Sequence, residues 1–233
     1  MFNGAARSSE PEWMDTELVD AADLAACLRD LAAVNTVTLA RGPTVAFMRR
    51  AYARGLGRQL SVLDVGCGDG DMLRRLQRWS ARSGRRLSLT GVDLNPVTIE
   101  AARAATPAAL GIEYLQGDAF DPALGQFDVV LSSLFTHHLP DAEVVRFLVA
   151  MEARTRLGWF VNDLHRHAVA YHGFRVLSTL AGWHRFVRHD GPISVARAFR
   201  RAEWQALLEQ AGLAGVAEVR WHVPFRYCVG RLK

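Results

Sequence analysis

In the stretch VLDVGCGDGDML, residues 62–73, three glycines on alternate positions follow a strand pattern and precede an amphipathic run. A glycine-rich turn between a buried strand and a helix lets a ligand touch backbone at the helix N-terminus. A dinucleotide fingerprint has the spacing G-x-G-x-x-G, whereas here Gly70 comes one residue early and Asp71 holds the third position. Asp64, two residues before Gly66, would repel a pyrophosphate but attract an ammonium group. The ligand is therefore expected to be cationic near the loop. Asp93 ends the next strand pattern, where its two acceptor oxygens suit both hydroxyls of a ribose; before Asn95-Pro96 it also suits a helix cap. Asp118, in QGDAF, can accept from an adenine amine and equally fits a turn. The set describes a nucleoside with a positively charged amino-acid tail.

A second group of chemistry-bearing residues follows FDVVLSS. His137 and His138 lie just beyond that strand pattern, and Asp163 lies at the tip of the next one. Imidazole is suited to deprotonating a phenol near neutral pH, so either histidine is a candidate base. The other reading packs one of them, His138 by preference, beneath the ligand. Asp163 orients a histidine or the acceptor, or caps the helix that follows. His165, His167, His172, His184 and His189 come later; the first three fit neither helical metal spacing, no carboxylate cluster accompanies them, and no metal is expected. His165, His167, Tyr171, Phe174 and His189 are the expected acceptor-binding residues, within an apolar stretch able to cover a greasy molecule.

The elements that must position these groups read as alternating strand and helix. LSVLDV, RLSLTGVDL, IEYLQGD, FDVVLSS and LGWFVND are strands, separated by helices at 71–82, from Pro96, and at AEVVRFLVAMEAR. That alternation implies parallel pairing and a three-layer α/β sheet, doubly wound and mostly parallel, whose ligands sit beyond the carboxyl ends of the strands. Four segments are expected: a helical preface or cap over 1–57, with 1–15 a loose tail and a helix from Asp20 to Val34; a cofactor-binding core over 58–163; a helical lid over 164–200; and a final helix with two antiparallel strands, GVAEVRWHV and FRYCVGRL, over 201–233.

Composition narrows the class. Half of the 233 residues are hydrophobic and the net charge is +4, with Lys233 the only lysine. The arginines are scattered along the chain, which argues against a nucleic-acid partner. Cys27, Cys67 and Cys228 are far apart and read as reduced thiols. The N-terminus lacks an apolar signal core and no membrane-length apolar run occurs, so a cytoplasmic location is expected. The oligomeric state stays open, a homodimer included.

The ordered motifs VLDVGCGDG, GVDLNP, GDAF and FDVVLSSLFTHHL resemble those of class I S-adenosylmethionine-dependent methyltransferases over roughly residues 58 to 163. The resemblance implies a seven-stranded sheet with an antiparallel last strand, S-adenosyl-L-methionine as cofactor and S-adenosyl-L-homocysteine as product. It implies that Gly66, Gly68 and Gly70 shape the loop at the methionine part, that Asp93 holds the ribose, and that Asp118 with Ala119 flanks the adenine. Asp64, Cys67, Leu94 and Ser133 complete the expected cofactor set. The turn after the fourth strand reads SSLF, not the Asn/Asp-Pro-Pro-aromatic turn of many amine methyltransferases, and no cysteine nucleophile follows that strand.

The flanks DAADLAACLRDLAAVN and NDLHRHAVAYHGFRVLS…RFVRHDGPISVARAFRRAEW resemble bacterial methyltransferases associated with type III polyketide synthases, with TLARGP departing from a glycine pair in those relatives. That likeness implies O-methylation of a small aromatic or phenolic acceptor, a phenolic polyketide or phenolic lipid. The alternatives are carbon methylation of a quinone-like ring, RNA methylation, and a cofactor-binding regulator without turnover.

Overall fold

The structure is a computed structural model that describes residues 2–16 and 21–233. Asp20, expected to open the first long helix, lies outside the described residues; the helix runs from Ala21 to Val37 (α2), after a single turn at Trp13–Thr16 (α1). Pro43 sits in the first turn of α3 (Gly42–Arg54), where its missing N–H has no helical partner to lose.

The chain then alternates β1 (Leu60–Val65), α4 (Asp71–Arg82), β2 (Leu87–Asp93), α5 (Pro96–Ala105), β3 (Ile112–Gln116), β4 (Phe127–Ser133), α6 (Asp141–Arg154) and β5 (Thr155–Leu164). It continues with α7 (Ala168–Leu180), α8 (Arg185–Arg197), α9 (Arg201–Gln210), β6 (Glu218–His222) and β7 (Arg226–Leu232). The seven strands pair in the order β3-β2-β1-β4-β5-β7-β6. Only β7 runs antiparallel, to β5 on one side and β6 on the other. This is the expected architecture, a three-layer α/β sheet, mostly parallel, with an antiparallel last strand.

Strand β1 shows why the sheet lies in the middle layer. Val62 packs with α3, α4 and α5 on one face, while Leu63 and Val65 pack with α6 and α9 on the other. Consecutive apolar residues therefore bury both faces, as parallel strands covered by helices require. Helix α3 belongs to this core: Phe47 stacks on Phe160 of β5 with ring centroids 4.6 Å apart. A third, smaller cluster joins Cys27 of α2 to Trp183, Phe186 and Val187 where α7 turns into α8. Phe174 lies so close over α8 that a Cβ at Gly191 would fall 2.0 Å from its ring.

The N-terminal tail is not loose over its described part. Arg7 donates to the backbone carbonyls of His137, Leu139 and Arg197, and the N–H groups of Trp13 and Met14 donate to the Asp190 carboxylate. No apolar run announced this, because the tail is held by hydrogen bonds to residues more than 120 positions away. Among the described residues no helix is long and apolar enough to cross a membrane.

Candidate active site

The carboxyl ends of β1, β2, β4 and β5 open into one cavity of about 1100 Å³, roofed by α2, α7 and α8. The glycine loop forms part of its floor. Gly66 and Cys67 donate their N–H groups to Val92 O, which ties the loop to β2. All three glycines have positive φ, but for different reasons. A Cβ at Gly70 would lie 2.1 Å from the Tyr114 hydroxyl and one at Gly66 2.7 Å from the Phe135 ring, whereas one at Gly68 would meet nothing within 4 Å. Gly66, Cys67 and Gly68 line the cavity and Gly70 does not. Gly70 thus shapes the loop from behind, and the space above Gly68 is a cradle that a ligand can fill. Gly68→Ala is expected to leave a folded protein with cofactor affinity reduced at least tenfold, while Gly70→Ala lowers the melting temperature; thermal melts with and without S-adenosylhomocysteine separate the two effects.

Four aspartates surround the loop, and ion pairs divide them. Asp69 pairs with Arg74 at 2.8 Å and Asp71 with Arg41 at 2.6 Å. Among the described residues Asp64 and Asp93 have no such pair, so the negative potential falls on the cavity side of the loop. Asp64 is 2% exposed, its Oδ1 has no hydrogen-bond partner among the described residues, and burial, aided by Asp93 and Asp71, pushes its carboxyl up to about 8. An orphaned, buried acceptor beside an open cradle fits an arriving ammonium group. Asp93 Oδ2 accepts from Gly68 N at 3.1 Å and Oδ1 from Asn95 N at 3.0 Å, while the cap of α5 is the Asn95 side chain. Each Asp93 oxygen keeps acceptor capacity toward the cavity. Asp118 spends one oxygen on Phe120 N, and with Ala119 and Leu94 it edges the same cavity. Leu94 is 66% exposed, an apolar surface that a stacked base would cover. Ser133 also lines the cavity, with a buried hydroxyl that lacks a partner among the described residues.

The second group converges as well. Asp163 is fully buried, and its oxygens accept from the Thr136 hydroxyl, His137 N at 3.0 Å, Leu164 N at 2.7 Å and His137 Nδ1 at 2.7 Å. Despite the opposing effect of burial, the imidazole and these donors hold its carboxyl well below the usual carboxylate range. An ionised Asp163 only accepts, so His137 Nδ1 carries a proton, and in the neutral imidazole Nε2 is the nitrogen with the lone pair. Two arginines from remote segments, Arg7 and Arg197, clamp the carbonyls of His137 to Leu139. His138 lines the cavity beside its neighbour, with ring centroids 4.2 Å apart.

Sequence reasoning missed Glu12. It is 6% exposed, accepts from the Ser194 hydroxyl at 2.8 Å, and places Oε1 3.8 Å from His137 Nε2. Glu12, His137 and His138 are the one group of metal-compatible residues among those described, with ligand atoms within 4.8 Å of one another. Their separation along the chain left no spacing signal.

The lid residues behave less uniformly than expected. Phe174 lines the cavity; His165, His167, Tyr171 and His189 do not. His167 caps α7 by accepting from Val169 N. His165 is held near β6 and β7, accepts from Trp221 Nε1, and is kept neutral by burial, which lowers it to about 4. Tyr171 packs on Phe2 and His172, and His189 stacks on Trp13 while bonded to Asp190. These four residues hold the roof and tail in place, since helix capping and ring stacking point them away from the cavity. The apolar wall comes instead from Leu31, Val34, Phe174, Leu177, Val187 and Val195.

A family model described as a methyltransferase domain matches residues 62–158, the segment from β1 into β5. The magnesium-protoporphyrin O-methyltransferase of Rhodobacter capsulatus is 36% identical over 98 residues, covering 40% of this chain and 40% of that protein. The chain thus matches two fifths of that relative's length. Magnesium protoporphyrin IX methyltransferase from Synechocystis PCC 6803, solved with bound S-adenosylhomocysteine, superposes with a TM-score of 0.55 at 14% identity, covering 83% and 82% of the two chains. A plantazolicin methyltransferase, solved with a substrate analogue and S-adenosylhomocysteine, gives 0.59 at 15% identity, covering 81% and 71%. The cofactor of a methyltransferase domain is S-adenosylmethionine, and the cradle over Gly68, the orphaned Asp64 oxygen and the Asp93 carboxylate fit it. The matched segment includes His137 and His138 but ends before Asp163 and excludes Glu12 and the roof helices.

Proposed function

We propose that the protein transfers the methyl group of S-adenosylmethionine to the hydroxyl of a small aromatic acceptor, a phenolic polyketide or phenolic lipid. The observation that carries this reading is the His137–Asp163 pair at 2.7 Å, aimed into an apolar-walled cavity continuous with the cofactor cradle. Asp64 takes the ammonium, Asp93 the ribose hydroxyls, and Asp118 the adenine amine. The sulfonium brings the reactive methyl group, so the protein's task is alignment and removal of one proton. His137 Nε2 accepts the acceptor's hydroxyl proton as oxygen attacks, and the buried Asp163 carboxylate stabilises the imidazolium that results. Residues 164–200 act as the lid that excludes water from the reacting atoms. The likeness of both flanks to methyltransferases associated with type III polyketide synthases supports the acceptor class.

Incubation with methyl-labelled S-adenosylmethionine and a panel of alkylresorcinols, naphthols and quinols tests the proposal. Labelled O-methyl product with stoichiometric S-adenosylhomocysteine is the expected result; a product methyl carbon at an aryl-methyl shift, or no product from any phenol, contradicts it. Asp93→Ala is expected to weaken S-adenosylhomocysteine binding by about 1 to 3 kcal/mol, measured by calorimetry, because the buried side of the ribose then lacks its acceptors.

A further inference from the structure

Arg226, at the start of β7, is 2% exposed and lies on the wall of the same cavity. A guanidinium taken out of water is ordinarily matched by a carboxylate and by bonds to its five donors. Here no carboxylate oxygen among the described residues lies within ion-pair distance. Its two hydrogen bonds, to Asn162 Oδ1 and Thr38 Oγ1, are both 3.4 Å long, at the outer edge of the useful range, and its buried Nε has no partner. Asp163 is the carboxylate that acts on it through space. That carboxylate cannot turn to serve it, because four other donors already occupy its oxygens.

We infer that Arg226 forms an anion subsite that takes a carboxylate, and that the carboxylate belongs to the acceptor. A planar carboxylate matches the guanidinium fork, which a neutral phenol does not. The position supports the acceptor as its source. Asp64 and Asp93 hold the cofactor end at β1 and β2, whereas β7 is three strand spacings from β1, roughly 14 Å away at about 4.8 Å each. The hairpin turn before Arg226 places Phe225 in the left-handed region at φ 47°, and Phe225 lines the cavity too. A non-glycine residue held there is the kind of local strain that collects at binding sites. Resting on the aromatic-acceptor reading above, this subsite narrows the acceptor to a carboxylated ring or chain.

The test uses 4-pentylbenzoate and 4-pentylbenzamide, which carry no hydroxyl and so report binding without methyl transfer. By calorimetry on the full chain with S-adenosylhomocysteine present, the acid is expected to bind at least tenfold more tightly than the amide. Arg226→Met is expected to abolish that preference and Arg226→Lys to keep part of it. Titration with S-adenosylhomocysteine and with 5′-methylthioadenosine, which lacks the amino-acid tail, identifies the source of the carboxylate. Equal affinities of both nucleosides for wild type and Arg226→Met support the acceptor, whereas loss confined to S-adenosylhomocysteine overturns that assignment. Equal binding of acid and amide to the wild-type protein overturns the subsite itself, and this comparison stands even if the variants fail to fold. Acid preference together with inactivity on every phenol, hydroxybenzoates that carry a ring carboxylate included, would sink the phenol reading and leave the subsite intact.

Discussion

Asp163→Asn is expected to lower the proposed methyl-transfer turnover by about 10²- to 10⁴-fold while leaving S-adenosylhomocysteine affinity within a factor of about three, the span for a positioned base that loses its function. The carboxylate accepts four hydrogen bonds, two of them from His137. An amide in its place has one acceptor oxygen and must turn its NH₂ toward groups that are themselves donors. With that NH₂ turned to Nδ1, His137 is driven to the other tautomer, with the proton on Nε2 and no lone pair facing the acceptor. The cofactor cradle on β1 and β2 is untouched, so a fall in kcat with unchanged cofactor binding is the distinctive signature. Parallel loss of cofactor affinity would indicate collapse of the rim and remove the case for His137 as base.

Asp64→Asn gives effects of opposite sign on binding and on stability. In the cofactor-free protein the buried carboxyl sits at about 8, above its unfolded value near 4. Between those values the folded state holds a proton that the unfolded state has released, so stability falls as pH rises from about 4 to 8, by at most about 1.4 kcal/mol per pH unit. Below that window the contribution is fully favourable. The asparagine variant lacks this titration, and at pH 8 its cofactor-free form is expected to be more stable by an amount on the order of 3 kcal/mol, read from denaturant unfolding. The same change removes the partner of the ammonium and weakens S-adenosylhomocysteine binding about 10- to 100-fold. In the wild type, affinity is expected to rise with pH up to about 8, because on the proposed reading the ammonium binds the ionised carboxylate and its proton leaves. A variant that loses stability, or keeps its affinity, would show that Asp64 does not face the ligand's charge.

The core was legible because its signals are local. The strand β1 begins and ends where LSVLDV does, and α4 occupies the expected residues 71–82. Apolar runs of strand length between amphipathic helices have few other folds available, and the order of glycine loop, Asp93 and Asp118 fixes the rim from sequence neighbours. The acceptor side was less legible. Glu12 reaches His137 across 125 positions, and Arg7 clamps the histidine turn from farther still, contacts that leave no periodicity. In the sequence Arg226 is one arginine among many; only the structure shows it buried with no carboxylate among the described residues within ion-pair distance. The histidines over 164–200 misled in the opposite direction, since a ring that caps a helix and one that faces a ligand have the same letter. His167 and His184 both cap helices through their side chains.

Calorimetric titration of the wild-type chain with S-adenosylhomocysteine at pH 7, in two buffers of different ionisation enthalpy, tests the occupancy of the rim most directly. The expected result is one site per chain with net release of a proton as Asp64 ionises against the ammonium. Absence of heat in both buffers, with binding of a nicotinamide dinucleotide instead, would contradict it.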